Sequence, residues 1–299
     1  MDNAITLQSN TPVAQEQPIL RRWEACLNLD FSKRHDRSYL AKNFHVGPLV
    51  LQKTLHPEGD AICHGIIIHP PGGVAGGDEL TLKVTLAPKA NVLLTTPGAG
   101  KWYKANGSVA SQHLQFDLAE NASLEWLPQE NILFDGSEVN FSADIHLSAK
   151  ARYAGWEILC FGRQAKGERW DVGKLRQSLS ITRRDKLIWQ ERAALKANDP
   201  FFHSLIGMAG NVVSAAFVVA AGAVPAELLA KCRQLQMEQV EKITSSQTRF
   251  GVTALPEVFS ARYIGMSAPE ARQFFEALWH ILRPWYLDRT AVRPRIWNT

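Results

Sequence analysis

Apolar and polar residues alternate with a period of two along much of this chain, and no other property restricts its fold as strongly. Trp23, Ala25, Leu27, Leu29 and Phe31 fall on one side of an extended segment, with Arg22, Glu24, Cys26, Asn28 and Asp30 on the other. Leu80, Leu82, Val84 and Leu86 repeat the pattern, as do Leu114, Phe116 and Leu118, and then Val139, Phe141, Ala143, Ile145 and Leu147. Leu175, Gln177, Leu179 and Ile181 continue it less cleanly. Successive side chains of a strand point to opposite faces, so each run predicts a half-buried strand. Pro70-Pro71-Gly72-Gly73, Ala87-Pro88, Pro97-Gly98 and Asp135-Gly136 supply turns between the runs. Strands recurring roughly every 8–12 residues predict an all-β body rather than alternating strands and helices.

Two segments depart from this period. Pro225 to Ile243 predicts a helix, with proline suited to its first position and Leu228, Leu229, Cys232, Leu235 and Val240 on one stripe. Ser267 to Leu282 predicts a second. Ser267-Ala268-Pro269-Glu270 reads as a capping box, Phe274, Phe275, Leu278, Trp279 and Leu282 form the apolar face, and Pro284 ends it. Arg249–Leu255 and Val258–Ile264 read as strands between the helices. Residues 1–20 are polar and aperiodic and read as a flexible tail. Residues 21–299 show no fixed-period repeat and no low-complexity linker, so one domain is the simplest organisation.

Composition excludes several classes. A formal net charge of +4 is too mild to argue for nucleic acid. The longest apolar stretch, Val212 to Val224, is too short to span a bilayer. Cys26, Cys63, Cys160 and Cys232 form no C-x-x-C pair and read as reduced, mostly buried thiols. With no signal-peptide pattern at the start, the expectation is a soluble cytoplasmic protein.

Familiar catalytic motifs fail on inspection. His69-Pro70-Pro71-Gly72-Gly73-Val74-Ala75-Gly76-Gly77-Asp78 resembles a phosphate cradle, but a strand follows it, so no helix amino terminus is available for an anion. It reads as a tight loop needing positive φ or close backbone approach, with a metal or partner site as the alternative. Gly100-Lys101 imitates a P-loop, yet Thr95 stands where the first glycine is required and Trp102 where Ser or Thr is. The histidines lack metal spacing: His64 and His69 fall on opposite faces of a strand. No nucleophile elbow is present.

Two carboxylates are more informative. Glu157 lies inside the apolar run Gly155-Trp156-Glu157-Ile158-Leu159-Cys160-Phe161, and Glu191 follows Leu187-Ile188-Trp189-Gln190. A carboxylate in such a strand needs a cation, a metal or a hydrogen-bond network. Arg163 is a candidate partner for Glu157.

Four blocks acquire meaning together: H-P-P-G-G-V-A-G-G-D at 69–78, T-T-P-G-A-G-K-W-Y-K at 95–104, L-P-Q-E-N-I-L-F-D-G-S at 127–137 and G-W-E-I-L-C-F-G-R at 155–163. In order and spacing they resemble the signature segments of the UreD (UreH) family of urease accessory proteins. The likeness continues through Glu191-Arg192 to Arg293-Pro294-Arg295-Ile296-Trp297. It implies a β-helix-like superhelical stack of strands with two α-helices near the carboxyl end. It also implies a non-catalytic scaffold that contacts the urease apoprotein on one side and UreF on the other. UreF recruits the GTPase UreG, and a UreE-type metallochaperone stands indirectly behind it. No permanent cofactor is implied, only transient passage of nickel(II) through a polar internal path.

Nickel(II) binds thiolate and imidazole tightly, so isolated oxygen donors suit transit better. By motif position and chemistry the candidates for that path are Asp78, Thr95, Thr96, Glu157 and Glu191. The competing readings are an interaction scaffold without nickel contact and a carboxylate-based hydrolase on a β-helical fold, which would need two carboxylates roughly 5–10 Å apart in an open cleft.

Overall fold

Parallel strands cannot be joined by a hairpin, so a chain that stacks them must leave the sheet and return. Here the return path is a second sheet. The computed structural model describes residues 23–242 and 247–298. The tail read over residues 1–20 lies outside the described residues, as does Ile243.

The strands, in chain order, are β1 (Glu24–Arg34), β2 (Arg37–Val46), β3 (Val50–Leu55), β4 (Cys63–Ile68), β5 (Glu79–Leu86), β6 (Asn91–Thr95), β7 (Gly100–Trp102), β8 (Ala110–Leu118) and β9 (Ser123–Trp126). They continue with β10 (Asn131–Leu133), β11 (Glu138–Leu147), β12 (Arg152–Phe161), β13 (Lys174–Arg183), β14 (Lys186–Lys196), β15 (Val213–Ala220), β16 (Arg249–Ala254) and β17 (Phe259–Gly265). Two helices, α1 (Ala226–Lys242) and α2 (Ala268–Leu287), flank the last two strands.

Among the described residues the first sheet runs β14-β13-β11-β8-β5-β1-β2, and the second β16-β17-β15-β12-β9-β6-β4-β3, with β10 and β7 branching from β12. Strands β1, β5, β8, β11 and β13 are mutually parallel, as are β4, β6, β9 and β12. The result is a β-solenoid of about 4 turns, 47% strand and 17% helix, closed by antiparallel strands at its ends. The strand-dominated body and its two carboxyl-end helices are those the alternation and helical stripes predict, and the superhelical stacking is what the family resemblance implies.

Register explains its stability. Leu29, Val84, Phe116, Ile145 and Ile181 follow one another across the first sheet, all buried. A slip of one residue in any turn would rotate its apolar set into water, so the alternation specifies the stacking. Trp23 is the exception to its own row: it precedes β1 and is 51% exposed.

The second sheet is covered on both faces. On β12, Tyr153, Leu159 and Phe161 face the core between the sheets, while Ala154, Trp156, Ile158 and Cys160 face a second core under α2. That double burial is why the β12 sequence reads as a nearly continuous apolar run. Cys63, Cys160 and Cys232 are free and buried, and Cys26 is free and half-buried.

Helix α2 departs from its sequence reading at both ends. Ser267 Oγ caps the Glu270 N–H at 3.3 Å, but Glu270 does not return the bond. Its carboxylate accepts instead from the Tyr263 hydroxyl at 2.5 Å, and that hydroxyl accepts from the Ser267 N–H. Pro284 does not end the helix, which runs through it to Leu287 and closes on Asp288 in the left-handed region. Proline removes one backbone bond, and burial of Arg283 and Tyr286 in the turn around it outweighs that loss. Helix α1 begins one residue after Pro225, whose carbonyl accepts from the Leu229 N–H.

Candidate functional site

The row of inward residues beside the apolar rows is not apolar throughout. Leu80, Gln112, Phe141 and Gln177 stand in register across the first sheet. One row over, Leu82, Leu114, Ala143 and Leu179 lead to Glu191 on β14. Opposite them, on the inner face of β12, lies Glu157. These polar side chains interrupt the packing, and a cavity of about 390 Å³ opens between the sheets.

Glu157 is held from the facing sheet, where the Gln177 amide donates a short hydrogen bond to its Oε2. Burial raises the Glu157 pKa, and the negative charge of nearby Glu191 raises it further. The Gln177 bond opposes both, and the balance lies at about 7. Glu191 Oε1 accepts from Trp189 Nε1 at 2.8 Å and from the Arg262 guanidinium at 2.6 Å. Arg262 belongs to β17 of the second sheet, so this ion pair clasps the two sheets. Arg163 is not the partner of Glu157; it pairs with Glu168 on the surface at 2.6 Å.

The other end of the cavity is walled by the 95–104 and 127–137 segments and by the Gly-rich loop. Thr96 Oγ1 accepts from the Gln129 N–H at 2.9 Å, and Asn131 Oδ1 accepts from Trp102 Nε1 at 2.9 Å. Thr96, Gln129 and Asn131 all line the cavity, as does His69. Burial lowers the His69 pKa, against an opposing pull from Asp78. In the loop, a Cβ on Gly76 would lie 1.9 Å from the Ala105 carbonyl oxygen, and Gly77 has φ +93°. Close approach and left-handed backbone both demand glycine there.

Of the five residues chosen from sequence, Thr96, Glu157 and Glu191 therefore share one cavity. Asp78 and Thr95 are not among its lining residues. Asp78 accepts from the Ala75 N–H at 2.9 Å and the Trp23 N–H at 3.2 Å, fastening the Gly-rich loop to the start of β1. Thr95 donates to the Leu127 carbonyl at 2.5 Å and accepts from Trp297 Nε1 at 2.7 Å. Adjacent residues at a strand end point to opposite faces, which sends Thr96 into the cavity and Thr95 into the helix-side core.

Gln112, Gln129, Asn131, Gln177 and Arg262 escaped the sequence reading. Gln177 had left a signal, being the polar residue in the weakest of the alternating runs.

A second buried polar assembly sits on the opposite face of the second sheet. Arg283, fully buried, binds Glu58 at 2.6 Å and Glu125 at 2.9 Å. Trp279 Nε1 and the Tyr286 hydroxyl both donate to Glu125 Oε1, at 2.7 and 2.5 Å. His64 Nε2 meets Glu58 Oε1 at 2.6 Å. Burial works to raise the Glu58 pKa, but its bonds to His64 and Arg283 outweigh that and leave it below the usual carboxylate value. With a hydrogen-bonding partner on every charge, this assembly anchors α2 to the sheet. Among the described residues no group of three or more His, Cys, Asp and Glu is placed to hold a metal ion.

A sequence model of the UreD urease accessory protein family matches residues 24–298. The chain is 56% identical over 279 residues, 93% of this chain and 95% of the relative, to a protein from Methylobacillus flagellatus named urease accessory protein UreD. Proteins of the same name from Dechloromonas aromatica and a Janthinobacterium species are 42% and 41% identical, covering 98% and 99% of this chain and 100% and 97% of theirs.

The chain belongs to the UreD family.

The match spans both sheets, both helices and every segment that walls the cavity, so all parts of the candidate site fall within the UreD match. No helix among the described residues is long and apolar enough to cross a membrane.

Proposed function

We propose that this protein is a non-catalytic scaffold of urease maturation that passes nickel(II), as cargo, through the cavity between its sheets. In this reading it works in the cytoplasm, binds the urease apoprotein and UreF, and through UreF reaches the GTPase UreG, with UreE supplying the metal upstream. Membership of a family whose relatives are named urease accessory proteins supports the maturation role.

One observation carries the ion path: Glu157 and Glu191, from opposite sheets, share a cavity whose other polar walls are the amides of Gln112, Gln129, Asn131 and Gln177 and hydroxyls such as those of Thr96, Ser142 and Ser178, together with His69 and Lys101. Two carboxylates attract a divalent ion. Amide and hydroxyl oxygens add weak donors, His69 a single imidazole, and no lining residue is a cysteine. A conduit has to bind the ion well enough to admit it and weakly enough to release it. Thr96, Glu157 and Glu191 are the path residues in this proposal; Asp78 and Thr95 hold its walls in place.

The test is co-expression of urease with UreF, UreG and Glu157→Ala or Glu191→Ala variants, followed by metal analysis of the purified urease. The expected result is an intact complex with less nickel per active site. Full nickel loading with both variants would favour a scaffold that never touches the ion.

A further inference from the structure

The two carboxylates of the cavity are not treated alike. Glu191 is bound by Arg262, while Glu157, among the described residues, is held by a neutral amide alone and destabilised by its neighbour's charge. Arg262 pairs in register with Ala216, and Ala216 with Glu157. Arg262 and Glu157 thus lie on the same inner face two strands apart, roughly 10 Å by the usual strand spacing. One guanidinium is therefore stationed beside a pair of facing acids, and it binds only one of them.

The exposure of the two partners is unequal. The Glu191 side chain is 14% exposed, and that of Arg262 is 51% exposed. A guanidinium already half in water loses little hydration on swinging outward, and an ion pair with one exposed member contributes little net stability. The Trp189 and Arg262 bonds to Glu191 both fall on Oε1, and the one from Trp189 keeps the carboxylate oriented when the other is broken.

We propose that Arg262 is a tethered counter-cation that occupies Glu191 while the cavity is empty and is displaced by the divalent ion that binds Glu157 and Glu191. The proposal rests on the ion-path reading above and adds to it a device for release. A divalent ion between the acids neutralises both charges, which the monovalent guanidinium does not. Once the ion is in place, the returning arginine competes for Glu191 and weakens its hold. Arg262 is thus a positioning residue that tunes occupancy.

The experiment is calorimetric titration of the full-length protein with Ni²⁺ alone, on wild type, Arg262→Met, Arg262→Lys, Glu157→Gln and Glu191→Gln, with a thermal melt of each. Arg262→Met keeps the aliphatic stem and removes the competing charge. It should bind Ni²⁺ roughly threefold or more tightly and release it more slowly, with Arg262→Lys close to wild type. In co-expression, Arg262→Met should lower delivery to urease although it binds better, a split that a purely structural clasp would not produce. If Arg262→Met leaves Ni²⁺ affinity unchanged or weaker while Glu157→Gln and Glu191→Gln abolish binding, the displacement fails and the ion path stands. If neither glutamine variant alters Ni²⁺ binding, the ion path fails and the displacement fails with it.

Discussion

Glu157 and Glu191 come from opposite sheets and meet across one cavity, near enough that the charge of Glu191 helps to raise the Glu157 pKa to about 7. The fold keeps them together because Gln177 holds one from the facing sheet and Arg262 clasps the other across the gap.

That coupling has a signature in stability against pH. The folded state favours protonated Glu157, so it binds more protons than the unfolded chain between the ordinary value of 4.5 and about 7. Over that window this group makes stability fall as pH rises. Glu157→Gln removes the effect. The variant should match wild type near pH 4.5 and exceed it at pH 8 by about 2–3 kcal/mol. Denaturant titrations at the two pH values measure this, and equal offsets at both would refute it.

Arg283 carries the opposite kind of burial. Arg283→Met leaves Glu58 and Glu125 buried without their shared cation, which typically costs about 3–5 kcal/mol. Unfolding by urea should show a loss of that size. A loss below about 1 kcal/mol, within the range of exposed pairs, would mean the assembly does not anchor α2.

Thr95 and Thr96 should separate cleanly. Thr95→Val leaves the Leu127 carbonyl and Trp297 Nε1 without their bonds, at a cost of about 1–3 kcal/mol, and Ni²⁺ affinity should not change. A change in affinity with unchanged stability would place Thr95 on the ion path after all. Calorimetry with Ni²⁺ beside a urea melt distinguishes the two.

Gly76→Ala should be poorly tolerated, because its Cβ would lie 1.9 Å from backbone oxygen, which no side-chain rotation relieves. Overpacking of this kind costs about 1–3 kcal/mol. Gly98→Ala, with nothing within 4 Å of the added carbon, is the control and should be neutral. Equal melting temperatures for both variants would contradict this account.

Much of the fold was legible because alternation is a local property. Leu80, Leu82, Val84 and Leu86 declare a buried face without reference to any other strand, and β5 buries all four. Helix ends were less legible, since Pro284 is a local breaker and its helix continues on contacts to Glu58 and Glu125, residues distant in the chain. The candidate site was partly legible: a carboxylate inside an apolar run flags itself, as Glu157 did. Glu125, between Leu124 and Trp126, carried the same flag and was overlooked.

The order of residues alone determined the strand period, the two helical segments from residue 225 onward, the failure of the phosphate-cradle, P-loop and nucleophile-elbow readings and the four family blocks, because each depends on neighbours in the chain. Tertiary structure alone decided which polar residues meet. Thr95 and Thr96 are adjacent yet enter different cores, whereas Gln177, Glu157 and Glu191 are far apart in sequence and share one cavity. The physical reason is the pleat and the stacking together: the pleat assigns each residue to a face, and only the register of the turns decides what that face opposes.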